Sequence, residues 1–229
     1  ASDVYKRQGY NDFGFMGSKE MQTPNIDALT SEGVVFTDAH VAATVSSPSR
    51  ACLITGRYGH RFGYECNLSD RTNGLPLEEE TIAEVFKTNG YRTAAIGKWH
   101  LGSRDEQHPN NRGFDLFYGM KAGGRDYFYN EKKSDRPGDE RNLLLNDRQV
   151  KFEKYLTDAF SEKAVEFINE SSQPFMMYLA YNAVHTPMQA TDEDMAKFEG
   201  HPRQKLAAMT YALDRGVGTV IRGLKDSGK

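Results

Sequence analysis

Cysteine is nearly missing from this sequence: its 229 residues contain two, Cys52 and Cys66. Two thiols are too few for a disulfide framework, so the fold must stand on a buried core. Two unconnected thiols are the expectation. Long hydrophobic runs are lacking too. No apolar stretch approaches the roughly 20 residues that span a bilayer, and the opening ASDVYKRQ has no apolar signal core. No membrane span is therefore expected. Neither sign of charge dominates: the formal net charge of −3 offers no basic surface for nucleic acid or anionic lipid. No nucleic-acid partner is expected. What the chain does have is material for a core, with 38% hydrophobic and 11% aromatic residues, which argues against wholesale disorder.

The segment TPNIDALTSEG reads as a helix with Thr23 as N-cap, Pro24 in the first turn and Gly33 at its end. A β-branched run follows at Val34, Val35 and Phe36. In SSPSRACLITGRY, Pro48 is placed to open a helix that Gly56 closes. EEETIAEVFKTNG is a further helix stopped at Gly90, and YRTAAIG is an apolar strand feeding into KWHLG. From Gln107 to Gln149 periodicity is weak, which predicts a long surface excursion with an aromatic patch at Phe114, Phe117 and Tyr118. Thr157 is expected to cap a helix through about Glu170. PFMMYLAYN reads as a strand buried on both faces. Leu206, Met209, Leu213, Val217, Val220 and Leu224 form the core-facing stripe of a last helix.

Helices alternating with short apolar strands predict an α/β fold with a mostly parallel sheet. In such sheets, active residues sit on loops beyond the C-terminal strand ends. KWH and NAVHTP both follow strands in that way. Ser46 precedes a proline-started helix, where open backbone N–H groups and the helix dipole favour an anion. Arg50, four residues on, can grip a tetrahedral oxyanion with two hydrogen bonds. Taken alone, each feature has an ordinary reading: a capped helix, a solvated Lys98, a packed His100, a His185 that shapes a turn.

Together they resemble something specific. SSPSRACLITGRY is similar to the signature of type I sulfatases, and TPNIDALTSEGVVFTDAH, GKWHLG, HPNNRGFDLFYG and PFMMYLAYNAVHTPMQA resemble further segments of that family in the family's order. The resemblance runs from Gly9 to the C-terminus. It implies the alkaline-phosphatase-like α/β fold, with a mostly parallel sheet flanked by helices. It implies hydrolysis of sulfate esters, on a sulfated carbohydrate or an aryl sulfate. Ser46 matches the residue that a maturase oxidises to formylglycine, and the serine form resembles substrates of the radical-type maturase. By the same match Arg50 steadies the hydrated aldehyde and Lys98 neutralises charge on the sulfate. His100 is the base that breaks the covalent sulfate intermediate, and His185 contacts the sulfate and protonates the leaving oxygen. A hydrated aldehyde carries a second hydroxyl whose deprotonation expels sulfate, which a plain serine ester lacks. A histidine titrating near neutrality suits the leaving-group proton. His40, His60, His108 and His201 are assigned no role. Tyr127, Phe128 and Tyr129 could line a sugar or aryl pocket or simply pack.

The resemblance also implies a calcium ion, held partly by an Asp-Asp pair ahead of GYND. Here GYND is present at Gly9 to Asp12, but Lys6 and Arg7 hold the two ligand positions. Calcium requires several hard oxygen ligands, so the calcium ligands are expected to be missing from this chain. DVYKRQ at Asp3 to Gln8 matches one frame of a transposon-type sequencing adapter. Residues 1–8 are accordingly expected to be a non-native remnant of a metagenomic read, and residues 9–229 a partial N-terminal catalytic domain. The family's Asp-Asn-Gly strand, a further lysine and a C-terminal domain are expected beyond Lys229. An isolated fragment of this kind should bind calcium poorly and turn over slowly or not at all, and its parent protein is expected to be exported. Two other readings stay open: a phosphoesterase of the same superfamily using unmodified Ser46, and a non-catalytic anion- or glycan-binding homologue.

Overall fold

A computed structural model describes residue 9, residues 11–67 and residues 74–229. Lys6, Arg7 and the rest of residues 1–8 lie outside the described residues. Five strands form one sheet in the order β4-β3-β2-β1-β5. They are β1 (Arg92–Lys98), β2 (Leu116–Met120), β3 (Leu144–Leu145), β4 (Arg148–Gln149) and β5 (Phe175–Ala180). The central strand β1 pairs in parallel with β2 and β5, whereas β3 and β4 are added as an antiparallel hairpin.

Side chains alternate across the sheet as a two-residue period requires. Ala94 and Ile96 of β1, with Tyr118 and Met120 of β2, enter a core under the helices α4 (Leu156–Glu170) and α6 (Gln204–Asp226). Ala95 and Phe117 enter a second core on the opposite face, with Ala51 and Ile54 of α2 (Ser46–Thr55) and Ala83 of α3 (Ile82–Thr88). Helices thus cover both faces of a mostly parallel sheet, as the alternating pattern predicts. Each large apolar side chain buried in these cores contributes about 1.5–3 kcal/mol.

Helix α1 (Pro24–Glu32) starts where TPNID predicts, but its cap comes from elsewhere. Thr23 Oγ1 accepts from Gly14 N and donates to Asp27 instead. The buried carboxylate of Asp214, on α6, receives the N–H groups of Asn25 and Ile26. Helix α3 carries the reciprocal capping box of Thr81 and Glu84, and Gly90 follows it with φ 81°. Helix α4 begins one residue ahead of Thr157, with Tyr155 at the N-cap and no side-chain cap. In α6, Leu206, Met209 and Val220 are buried as the stripe predicts, but Leu213, Val217 and Leu224 are half-buried. Ala212, Gly216, Gly218 and Gly223 occupy the tightest positions because α6 packs closely on α1 and α4.

Three expectations are corrected. The stretch from Gln107 to Gln149 is no simple surface excursion: it contains β2, β3 and β4. Phe114, Phe117 and Tyr118 are core residues, with Phe114 and Phe117 each 1% exposed. The loop after β2 is tied down by a fully buried ion pair, Arg125 to Asp135 at 2.8 Å, with Arg125 also lying over the Phe152 ring. Strand β5 is half-buried rather than closed on both sides, because β1 is its one pairing partner among the described residues. Finally, α2 starts at Ser46, two residues before Pro48. Cys52 and Cys66 are free thiols. Among the described residues no helix is long and apolar enough to cross a membrane.

Candidate active site

The parallel strands deliver the site residues. Lys98 is the last residue of β1 and His100 lies two residues on. His185 lies five residues beyond the end of β5. Gly97 makes the exit from β1 feasible: it sits at φ 108°, where a side chain would run into the Ala180 carbonyl. Beyond it His100 adopts φ 58°, a left-handed conformation unusual for a residue with a side chain.

Ser46, Arg50, Lys98 and His185 line one open cavity of about 460 Å³, together with Tyr178, Tyr181 and Asn182 and an apolar lip that includes Val41 and Leu53. His100 joins them through the hydroxyl of Ser46, which is 3.1 Å from His100 Nδ1. Arg50 Nε donates to that same oxygen at 3.2 Å. Ser46 Oγ thus accepts from Arg50 and shares a second hydrogen bond with Nδ1 of the imidazole. Burial lowers the His100 pKa from 6.5 to about 4, assisted by the positive charges of Lys98 and Arg50 and by His185. At neutral pH His100 is therefore a neutral imidazole facing position 46, able to take up a proton.

Arg50 is held in turn. Its Nη1 donates at 2.8 Å to the Lys98 carbonyl and at 2.8 Å to the Tyr178 hydroxyl. Lys98 is 4% exposed, so its ammonium group stands in a largely desolvated place, and its positive charge is felt by His100. His185 Nδ1 lies 2.8 Å from the Thr186 carbonyl. A carbonyl only accepts, so Nδ1 carries a proton, and a proton passed to a ligand would come from Nε2 of the imidazolium. Tyr127 is fully buried and donates to the carbonyls of Asn182 and His185, which steadies the loop carrying His185. Of the aromatic trio it therefore packs beneath the site, stacked on Tyr155.

The expected cradle of open N–H groups at the start of α2 is not available. Because α2 begins at Ser46, Ser49 N bonds back to Val45, and Ser47 N donates to Asn67 Oδ1 at 2.8 Å. The anion-attracting character of the site comes from side-chain cations instead. Among the described residues no carboxylate lines the cavity, and no group of three or more His, Cys, Asp or Glu is placed to hold a metal ion. Asp12 of GYND is engaged by Arg203 at 2.8 Å and by Gly9 N. The described residues thus do not fit a calcium ion, whose oxygen ligands they do not gather.

Several residues at the site carry no signal in their own spacing. Tyr178 looks like any aromatic of an apolar strand. Ser47, Tyr64 and Asn67 form a support under the start of α2 that only the fold brings together. Gly123 and Gly124 lie behind the histidines: an added Cβ would come 2.8 Å from His100 Nε2 and 3.0 Å from His185 Nδ1, respectively. The dipeptide GG was visible, but not what it abuts. His40, His60, His108 and His201 lie apart from the cavity.

The sulfatase family model matches residues 4–229. The chain belongs to the sulfatase family. This sulfatase-family chain is 34% identical to the uncharacterized sulfatase YdeN of Escherichia coli (strain K12), over 92% of its own length and 41% of that protein's. It is 36% identical to arylsulfatase G of Mus musculus, over 95% of its own length and 46% of the relative's. The chain therefore spans less than half the length of these curated relatives. Among solved structures it resembles Ps i-CgsB in complex with k-i-k-neocarrahexaose, with a TM-score of 0.89 and 43% identity, covering 96% of this chain and 53% of that one. The α/β architecture is the alkaline-phosphatase-like one that the sequence motifs imply.

Proposed function

We propose that this chain carries the nucleophile, its base and the sulfate-binding cations of an enzyme that hydrolyses sulfate esters on a sulfated carbohydrate. The observation that supports this most is the triple meeting at position 46, where one oxygen contacts Arg50 Nε and His100 Nδ1 at the mouth of a cavity that also holds Lys98 and His185. Oxidation of Ser46 to formylglycine by a radical-type maturase would supply a hydrated aldehyde with two hydroxyls, one to attack sulfur and one to lose a proton afterwards. Arg50, locked by the Lys98 carbonyl and Tyr178, orients the attacking oxygen and balances its charge. Lys98 screens the sulfate oxygens from within the protein. His185, as the imidazolium, gives the Nε2 proton to the departing sugar oxygen. His100, neutral at working pH, takes the proton from the second hydroxyl as sulfate leaves.

A carbohydrate is favoured because the cavity is open and because the structure at 43% identity was solved with a neocarrahexaose bound. Calcium belongs to the family pattern, and no step here is assigned to it.

The test is mass spectrometry of the tryptic peptide Glu20–Arg50 after co-expression with a radical-type maturase. Loss of two hydrogens at Ser46 supports the sulfatase reading. An unmodified Ser46, combined with cleavage of a phosphate ester, would move the chain to the phosphoesterase reading.

A further inference from the structure

Ser47 stands next to the reacting position, yet its side chain points away from the cavity and into the protein. It is 2% exposed, and its Oγ lies 2.7 Å from the carbonyl oxygen of His100. A carbonyl accepts only, so the Ser47 hydroxyl donates to it. The Tyr64 hydroxyl, also 2% exposed and 2.6 Å from Ser47 Oγ, must then donate to Ser47. Burial raises the Tyr64 pKa, so its proton stays in place. The result is a one-way chain, Tyr64 to Ser47 to the His100 carbonyl. On the other side of the same residue, His100 N donates to the Lys121 carbonyl at 3.1 Å.

His100 needs such a grip, because its backbone sits at φ 58°. Released, it can relax to a commoner conformation, and that rotation would swing the imidazole off Ser46. Two consecutive residues of α2 therefore hold the two ends of one histidine: Ser46 holds the ring and Ser47 the carbonyl.

We propose that Ser47 and Tyr64 are positioning residues that fix the His100 imidazole against position 46 by clamping the His100 carbonyl. The catalytic consequence rests on the function proposed above; the clamp itself does not.

The experiment follows the His100 ring by two-dimensional NMR in the unmodified chain as pH is varied. The groups facing this ring are Lys98 from β1, Arg50 from α2 and His185 from the loop after β5, with the backbone of Gly123 behind it. Wild type should titrate near pH 4. Ser47→Ala should raise the midpoint by about one unit or more as the ring leaves its desolvated, cation-flanked seat. Tyr64→Phe should raise it less, and Ser47→Thr should restore it. A midpoint that stays at the wild-type value in folded Ser47→Ala overturns the proposal; if Ser47→Ala does not fold, an unchanged midpoint in Tyr64→Phe does so. The readout needs neither oxidation of Ser46 nor ester cleavage, so it stands or falls apart from the sulfatase reading.

Discussion

Ser46 Oγ sits 3.1 Å from Nδ1 of His100, with the guanidinium of Arg50 on the same oxygen at 3.2 Å. One atom accepts from a permanent cation and shares a hydrogen bond with a neutral imidazole, an arrangement compatible with the nucleophile proposed above.

Arg50 makes three contacts that its flat fork allows and an ammonium cannot copy. Under the function proposed above, and in a sulfatase of full family length carrying this segment, Arg50→Lys, which keeps the charge, should lower turnover of a sulfate ester by about 10²–10³-fold, the scale for losing one preorganised donor. Steady-state kinetics on an aryl sulfate, in a host carrying the maturase, would check this. Retention of wild-type kcat would show that charge alone suffices.

The acid limb of stability has a defined sign. His100 titrates near 4 when folded and near 6.5 when unfolded. Between those values the unfolded chain binds more protons, so this group makes stability rise as pH rises from about 4 to 6.5 and adds no slope above. Urea midpoints measured across that window should be flatter in His100→Gln than in wild type.

Gly123 leaves no room for a methyl group beside His100, since a Cβ there would meet the ring at 2.8 Å. Gly123→Ala should displace the imidazole and, under the function proposed above and in a sulfatase of full family length carrying this segment, reduce turnover by about 10²-fold, as misplacement by about 1 Å does elsewhere. The melting temperature should change much less than the rate.

Asp214 joins the last helix to the first by accepting from Asn25 N, Asn25 Nδ2 and Ile26 N. Asp214→Ala should cost about 0.5–2 kcal/mol, the range for losing a helix cap. A fall in the urea midpoint without change at the cavity would be the outcome.

Asp135 answers a guanidinium with no solvent access. Asp135→Ala would leave Arg125 buried and unpaired, and should cost about 3–5 kcal/mol. The double variant Arg125→Met, Asp135→Ala should recover part of that loss in thermal denaturation.

Much of the architecture was readable because it is written in local signals. Capping residues, glycine stops and apolar runs located α1, α3, β1, β5 and α6 to within a few residues. The motifs single out Ser46, Arg50, Lys98 and His185, and these four share a cavity that His100 joins through Ser46. What escaped was non-local. β2 hides in a stretch poor in periodicity because its neighbours bury it, not its own pattern. Asp214 caps a helix 188 residues away, and no window on the sequence spans that distance. Ser47 and Tyr64 are unremarkable letters until the fold sets them under His100. The start of α2 was misplaced because Pro48 tolerates the first turn without defining its first residue.

The side of β5 that no other described strand pairs with has a practical consequence. The opposite edge strand, β4, is two residues long, whereas the six-residue β5 pairs among the described residues with β1 alone and is half-buried. Main chain left open in this way recruits other strands. Preparations of this chain should therefore be more prone to self-association as concentration rises, with β5 as the seam.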